Sequence, residues 1–135
     1  MPSETVLVSD FYKIDSDPEN NLIRAEWLRG VSKEEMVAGA SKLCEVLNET
    51  GITRVVAIAQ RLVLLDSVTK EWMSTTFYTL LSQTSLQKLA RVLPSNLFSK
   101  LALESVATRA EALGTNKFEY KNFANLEDAL DWLNE

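Results

Sequence analysis

Polar and apolar residues alternate along the first quarter of the chain with the two-residue period of β-strands. Residues 5–14 predict an outer strand, and residues 15–21 form a dense cluster of turn formers. Residues 22–29 alternate again and present one apolar face. That face consists of Ile23, Ala25 and Trp27. We therefore expect the two strands to pair as a hairpin with a loop longer than a two-residue turn.

A capping box marks the start of the first helix. Ser32 and Glu35 stand three residues apart, so each side chain can accept a hydrogen bond from a backbone N–H of the first turn. Apolar residues then recur at helical steps, and Gly51 is placed to end the helix in a left-handed conformation. These apolar positions are Met36, Ala40, Leu43, Cys44 and Leu47. Residues 52–59 follow as the next element, apolar through 55–58, which predicts a central strand covered on both faces.

The second half of the chain repeats this alternation of helix and strand. Capping residues begin three more helices, and residues 86–93 and 117–123 predict the strands between them. The expected caps are Asp66 or Ser67, Ser95 or Asn96, and Asn125. The third helix carries Leu97, Phe98, Leu101, Val106, Ala110 and Leu113. The order ββαβαβαβα predicts one α/β domain over residues 1–135, with a mixed sheet of about five strands, about four helices and two helix layers.

The composition is that of an ordinary globular domain. Of 135 residues, 46% are hydrophobic and 24% are charged, and no window approaches the ~20 apolar residues of a membrane helix. The first residues lack the basic and apolar segments of a signal peptide, and the single Cys44 predicts a small buried hydrophobe, so we expect a cytoplasmic protein. A formal net charge of -5, with basic residues scattered singly, argues against nucleic-acid binding.

The chain contains no histidine, which removes the commonest general base and the commonest metal ligand. Carboxylates at Glu34 and Glu35, and at Glu127, Asp128 and Asp131, lie in or near first helical turns, where they complement the helix dipole. No glycine-rich nucleotide loop occurs. The sequence therefore predicts a non-enzyme without catalytic residues, cofactor or metal. Chemistry by Lys, Tyr or carboxylates that the fold gathers stays the open alternative.

Two regions of the chain resemble a known family. The stretches RVVAIAQ (54–60) and LLDS (64–67), with Trp72 in the helix that follows, are similar to STAS-like (SpoIIAA-like) bacterial anti-sigma-factor antagonists. They are more similar still to the small uncharacterised bacterial proteins grouped with them and with CRAL-TRIO lipid-binding domains. Residues 125–133 resemble the short final helix of those small relatives. The resemblance covers nearly the whole chain, and it implies a STAS-like fold that serves as a protein-interaction module or carries an apolar ligand.

Phospho-switching members of that family carry Asp-x-Ser-Gly at the helix start, where a partner kinase phosphorylates the serine. This chain has Asp66, Ser67, Val68 and Thr69 there, so valine occupies the acceptor position and threonine replaces the glycine. Two interpretations stay open. Asp66 or Ser67 is a helix cap, or the turn is a phosphorylation site whose phosphate would lie on the helix N-terminus.

An unbroken aliphatic run, residues 62–65, occupies the loop between the central strand and the second helix, where polar residues are normal. The run can be a buried edge of the same domain, an apolar patch for self-association or partner docking, or the lining of a cavity for a lipid-like ligand. The candidate patch comprises Leu62, Val63, Leu64, Leu65, Trp72, Met73, Phe77 and Tyr78. We expect a homodimer, with a regulatory protein or a small apolar molecule as further candidate partners.

Overall fold

A mixed sheet of six strands, ordered as they occur along the chain, runs through the part of the molecule that the computed structural model describes, residues 4–135. The strands are β1 (Glu4–Val8), β2 (Tyr12–Asp17), β3 (Leu22–Trp27), β4 (Arg54–Ile58), β5 (Lys88–Val92) and β6 (Glu119–Phe123). The helices are α1 (Lys33–Thr50), α2 (Ser67–Trp72), α3 (Tyr78–Ser82), α4 (Leu97–Ala112) and α5 (Leu126–Leu133). A π-helical turn, Met73–Phe77, joins α2 to α3, and a 3₁₀ turn, Pro18–Asn20, lies between β2 and β3. No helix in this range is long and apolar enough to cross a membrane.

The two ends of the sheet differ in strand direction. β1, β2 and β3 pair antiparallel, whereas β3, β4, β5 and β6 run parallel. Each of the parallel strands β4, β5 and β6 is connected to the strand before it by a helical crossover. Because such crossovers are right-handed and here all lead to the next strand in the same direction, they place their helices on one face of the sheet. The helices α1 to α4 bury one face of the sheet, and α5 packs on the other. The predicted α/β class, with a mixed sheet and two helix layers, is confirmed.

The strand β4 is covered on both faces, as its apolar sequence predicts. Val55 belongs to the core beneath the helices α1 to α4. Val56 and Ile58 point the other way and pack with Trp132 and Leu133 of α5. Burying one such aliphatic side chain stabilises the fold by ~1.5–3 kcal/mol, so β4 contributes to both halves of the core.

The predicted first strand, residues 5–14, is instead a hairpin of β1 and β2, which raises the strand count from about five to six. The chain reverses at Ser9, whose hydroxyl accepts hydrogen bonds from the N–H groups of Phe11 and Tyr12 at 3.3 and 3.2 Å. The N–H of Ser9 donates to the Tyr12 carbonyl at 3.0 Å. This turn contains neither glycine nor proline, and Ser9 and Asp10 are the only turn-favouring residues that signal it. β2 also runs three residues into the predicted turn, 15–21, because its alternation continues there.

The predicted capping of α1 is confirmed. The Ser32 hydroxyl accepts from the Glu35 N–H at 3.2 Å, and the Glu35 carboxylate accepts from the Ser32 N–H at 2.9 Å. Gly51 ends the helix with a φ of 72°. Glu35 also accepts two hydrogen bonds from the Arg29 guanidinium, at 3.1 and 2.7 Å. The Arg29 hydrogen bonds, followed by that from the Ser32 backbone, lower the pKa of Glu35 to about 2.

We predict that Glu35 makes the stability of the fold sensitive to acid. Because its pKa falls from 4.5 to about 2 on folding, its stabilising effect is complete above pH 4.5 and is lost as the pH falls towards 2. The urea midpoint of Glu35→Gln should therefore lie below that of the wild type at about pH 6 and approach it at about pH 2.5. Glu34→Gln, in the same exposed turn, is the matched control. Its urea midpoint should equal that of the wild type at both pH values. A difference in urea midpoint between Glu35→Gln and the wild type that stays constant over this pH range would contradict the prediction.

A glycine in the middle of α1 lets this helix lie close to an aromatic pair. Tyr12 of β2 and Trp27 of β3 are register partners, and their rings stack with centroids 3.9 Å apart. A Cβ built at Gly39 would lie 2.9 Å from a ring carbon of each. Both rings are buried and hold each other in place, so neither can move aside at low cost. Gly39 is required here by close packing.

We predict that Gly39→Ala destabilises the protein by about 1–3 kcal/mol, because the added methyl group overpacks the aromatic pair. The same substitution at an ordinary helix position would stabilise by about 1 kcal/mol, so the sign of the change is diagnostic. Chemical denaturation measures it, and Ser41→Ala on the exposed side of the same helix is the control, with an expected change within about 0.5 kcal/mol. A Gly39→Ala protein as stable as the wild type would show that the helix is free to move away.

Candidate functional site

An open apolar cleft lies beyond the carboxyl ends of β4 and β5, between the loop 59–66 and the first two turns of α4. This edge of a parallel sheet is where α/β proteins usually bind ligands. The cleft has a volume of about 500 Å³. It is lined by Leu62, Leu64, Leu65, Lys70, Asn96, Phe98, Ser99 and Ala102. Most of this lining is apolar, and Lys70 is the only charged residue in it.

Leu64 is the most unusual residue of the cleft. Its side chain is 91% exposed, and its φ of 61° lies in the left-handed region that favours glycine. For a residue with a side chain this conformation costs roughly 1–2 kcal/mol. Neither the exposure nor the backbone strain stabilises the isolated fold. Strained residues of this kind cluster at functional sites, so Leu64 is a candidate functional residue.

The loop that carries Leu64 is anchored on both sides of it. Leu62 is buried, and its N–H donates to the Ala59 carbonyl at 3.1 Å. On the other side the Asp66 carboxylate caps α2 by accepting from the Thr69 N–H at 2.7 Å. Leu64 is thus held in place between two fixed points.

The loop also packs against the end of the β3 strand. A Cβ built at Gly30 would lie only 2.9 Å from the carbonyl oxygen of Val63, which is a backbone atom and cannot give way easily. Gly30 therefore permits the close approach of the chain that follows β3 to the residue next to Leu64. This contact fixes the loop from a third direction.

The N-terminal turns of α4 supply the opposite wall of the cleft and a second group of exposed apolar side chains. Asn96 caps the helix by accepting from the Ser99 N–H at 3.0 Å. Phe98 is 81% exposed, and more than half of Leu97 and Leu101 is exposed as well. Residues three and four apart are neighbours on a helix surface, so these three side chains form one apolar surface beside the cleft.

The eight residues predicted as an apolar patch fall into three environments. Four are buried and line a small internal cavity of about 40 Å³: Leu62, Met73, Phe77 and Tyr78. Three are half-buried: Val63, Leu65 and Trp72. Leu64 alone is exposed. The structure thus brings the loop leucines into the cleft wall, while the aromatic side chains of the following helix face the core.

Sequence reasoning missed the contribution of α4. Leu97, Phe98 and Leu101 were grouped with all other apolar residues of that helix, without a distinction between its faces. The buried stripe of α4 consists of Ser99, Leu103, Val106, Ala107 and Ala110. Positions 97, 98 and 101 lie about half a turn away from this stripe at 100° per residue. That phase offset is the signal in the sequence that could have identified them.

The start of α2 holds the three residues considered as cap or phosphorylation site. Asp66 is the cap, and the hydrogen bond from the Thr69 N–H lowers the pKa of its carboxyl group. Ser67 is exposed, whereas Thr69 is buried and its Oγ1 has no hydrogen-bond partner among residues 4–135. The capping interpretation is confirmed for Asp66, and phosphorylation at Ser67 stays a prediction.

Neither a metal-binding cluster nor a reactive thiol lies near the cleft among the described residues. In the described part of the chain, no three Cys, Asp or Glu side chains are arranged to hold a metal ion. Cys44 is buried, and burial raises the pKa of its thiol to about 11, so it stays protonated at neutral pH and is a poor nucleophile. The cleft itself offers apolar contacts, the ammonium group of Lys70, the amide of Asn96 and the hydroxyl of Ser99.

Comparison with known proteins adds no relative to this description, since no family model, no curated protein and no solved structure matches the chain. A function for this chain is therefore inferred from the geometry of the cleft.

We predict that two leucines of the same loop respond in opposite ways to truncation. Leu62→Ala should destabilise the protein by about 2–5 kcal/mol, because it leaves a void in the core. Leu64→Ala should change the stability by no more than about 0.5 kcal/mol, because the side chain contacts mainly water. Denaturant unfolding at high dilution, where association does not contribute, measures both. If both variants lose the same amount of unfolding free energy, Leu64 packs within its own chain.

Proposed function

We propose that this protein is a non-catalytic interaction or regulatory module of the STAS-like type, which pairs with a second copy of itself through the apolar cleft. The observation that carries the proposal is the exposure of Leu64, in a strained backbone conformation, next to Phe98, which is also mostly exposed. We also place the protein in the cytoplasm, where its one thiol, Cys44, needs no partner.

Association would remove from water the apolar side chains that the fold leaves exposed. Each Å² of apolar surface covered stabilises a complex by roughly 25 cal/mol before the cost of association. Leu64 and Phe98 project beside a cleft of about 500 Å³. In a two-fold dimer the same surface serves both copies, so the projecting side chains of one copy can enter the cleft of the other. This self-complementarity favours a second copy as the occupant.

The distribution of charge is compatible with pairing at this face. Two copies of a chain with a net charge of -5 repel each other at long range. The lining of the cleft contains one cation, Lys70, and no carboxylate. Pairing at the cleft therefore brings apolar surfaces together. No acidic side chain of the cleft lining is buried in the contact.

We predict that the wild type is a dimer by light scattering coupled to size exclusion, and that Leu64→Asp and Phe98→Asp are monomers. A carboxylate at either position would have to leave water for a mostly apolar contact, which disfavours association. The matched control is Leu113→Asp, which places the same charge on an exposed leucine just beyond the other end of α4. This control should remain a dimer.

Circular dichroism should show that all three variants keep the wild-type fold, because each substituted side chain is at least half exposed. A monomeric wild type at the highest soluble concentration would overturn the proposal. A dimer that survives both cleft substitutions would place the interface elsewhere.

The second candidate function is the binding of a small apolar molecule, and the size of the cleft favours it. Ligand sites typically enclose about 300–1,000 Å³, a range that includes the cleft but not the internal cavity of about 40 Å³. Native mass spectrometry of the purified protein distinguishes the two functions. A monomer that carries a copurified amphiphile, lost in Phe98→Asp, would favour ligand binding over self-association.

A further inference from the structure

One charged side chain lies in the core of the protein without a counter-charge. Arg91 of β5 is only 4% exposed and is the one charged residue that the structure buries among residues 4–135. Its guanidinium makes one hydrogen bond, from Nη2 to the Leu103 carbonyl of α4 at 2.5 Å. Nη1 is buried and has no partner. A guanidinium carries five N–H donors, so most of its donor capacity is unused.

The two tyrosines next to Arg91 are neutral, and the carboxylate of Glu111 is hydrogen-bonded to Tyr120 rather than to Arg91. In the described chain, no carboxylate oxygen forms an ion pair with it, since the five ion pairs of this range involve other residues. Tyr12 lies in the same cavity wall, and burial raises the pKa of its hydroxyl well above the usual range, so it is not a phenolate. Tyr120 faces Arg91 with its ring centroid 6.0 Å away, and burial together with a hydrogen bond to Glu111 raises the pKa of its hydroxyl as well.

A second buried polar group without a partner lies beside Arg91. Asn122 of β6 is the register partner of Arg91 in the parallel sheet, so the two side chains project from the same face. The Oδ1 atom of Asn122 is buried and makes no hydrogen bond. Buried polar groups are nearly always hydrogen-bonded, so both atoms are exceptions, but the Asn122 oxygen needs a donor, and of the two only the guanidinium of Arg91 has unused N–H groups that an anion can accept.

Arg91 also lines the internal cavity of about 40 Å³ that lies beneath α1, the π-helical turn, α3 and α4. A single water needs at least about 10–15 Å³ of such space, and an organic ligand needs about 300 Å³. The cavity therefore admits a monatomic ion or a few waters and excludes organic molecules. Water can accept an N–H bond, but it leaves the buried positive charge uncompensated, and an unpaired buried charge is among the most unfavourable groups in a protein.

We propose that the cavity beside Arg91 is a structural binding site for one halide-sized inorganic anion, chloride under ordinary conditions. The anion accepts the unused N–H groups of Arg91 and neutralises its charge in the core. It stabilises the folded chain by mass action, because the unfolded chain has no such site.

The direct test is crystallography of the wild-type protein in sodium bromide, with anomalous data collected at the bromine absorption edge. We expect an anomalous peak in the cavity, in contact with the Arg91 guanidinium. Bromine peaks on the surface only, or ordinary water density in the cavity, would overturn the proposal. This measurement needs no variant and stands even if substitutions at Arg91 prevent folding.

The second test is thermal unfolding at fixed ionic strength, with sodium gluconate replaced stepwise by sodium chloride or bromide. The Tm of the wild type should rise with the logarithm of the halide concentration, by about 3–6 °C at a concentration ten times the apparent dissociation constant. Arg91→Met, which keeps the side-chain length and removes the charge, should show no such rise. Its Tm in gluconate alone should equal or exceed that of the wild type, because no unpaired charge remains.

Arg24→Met is the matched control, because it removes an arginine from an exposed position of β3, two strands away in the same sheet. It should keep the halide response of the wild type. A wild type whose Tm is insensitive to halide, or an Arg91→Met variant that responds as the wild type does, would refute the anion site.

Discussion

The sequential order of the parallel strands is the constraint on which the rest of the structure depends. Because β3, β4, β5 and β6 lie side by side in chain order, every crossover steps in the same direction and delivers its helix to the same face. That face receives α1 to α4, and only the short α5 remains for the other. The connections that leave β4 and β5 emerge next to each other, so the cleft between loop 59–66 and α4 is a consequence of topology.

Local signals made most of the fold predictable from the sequence. The caps at Ser32, Asp66, Asn96 and Asn125 depend on residues within one turn of the helix start, and the structure forms each of them. The apolar run 55–58 of β4 is likewise a local signal, and it predicts that this strand is buried on both faces. The reversal between β1 and β2 was missed because serine hydrogen bonds, and no glycine or proline, form the turn.

The candidate site was less predictable, because exposure depends on tertiary structure. The run 62–65 looks uniform in the sequence, yet Leu62 is buried and Leu64 is nearly free in solvent. What separates them is the left-handed backbone of Leu64, a conformation that leucine rarely adopts and that no local rule anticipates. Arg91 presents the opposite case. It stands within the predicted strand 86–93, where a charged residue normally indicates an exposed face, and it is buried only because α4 closes over it.

The surface cleft and the internal cavity are separated by a wall one residue thick. Leu62 lines both of them, so its position is fixed from two sides. A second link runs through α4, where Ala102 lines the cleft and the carbonyl of the next residue, Leu103, holds the guanidinium of Arg91. The exposed apolar surface and the buried charge are therefore joined structurally, through the side chain of Leu62 and through two consecutive residues of α4.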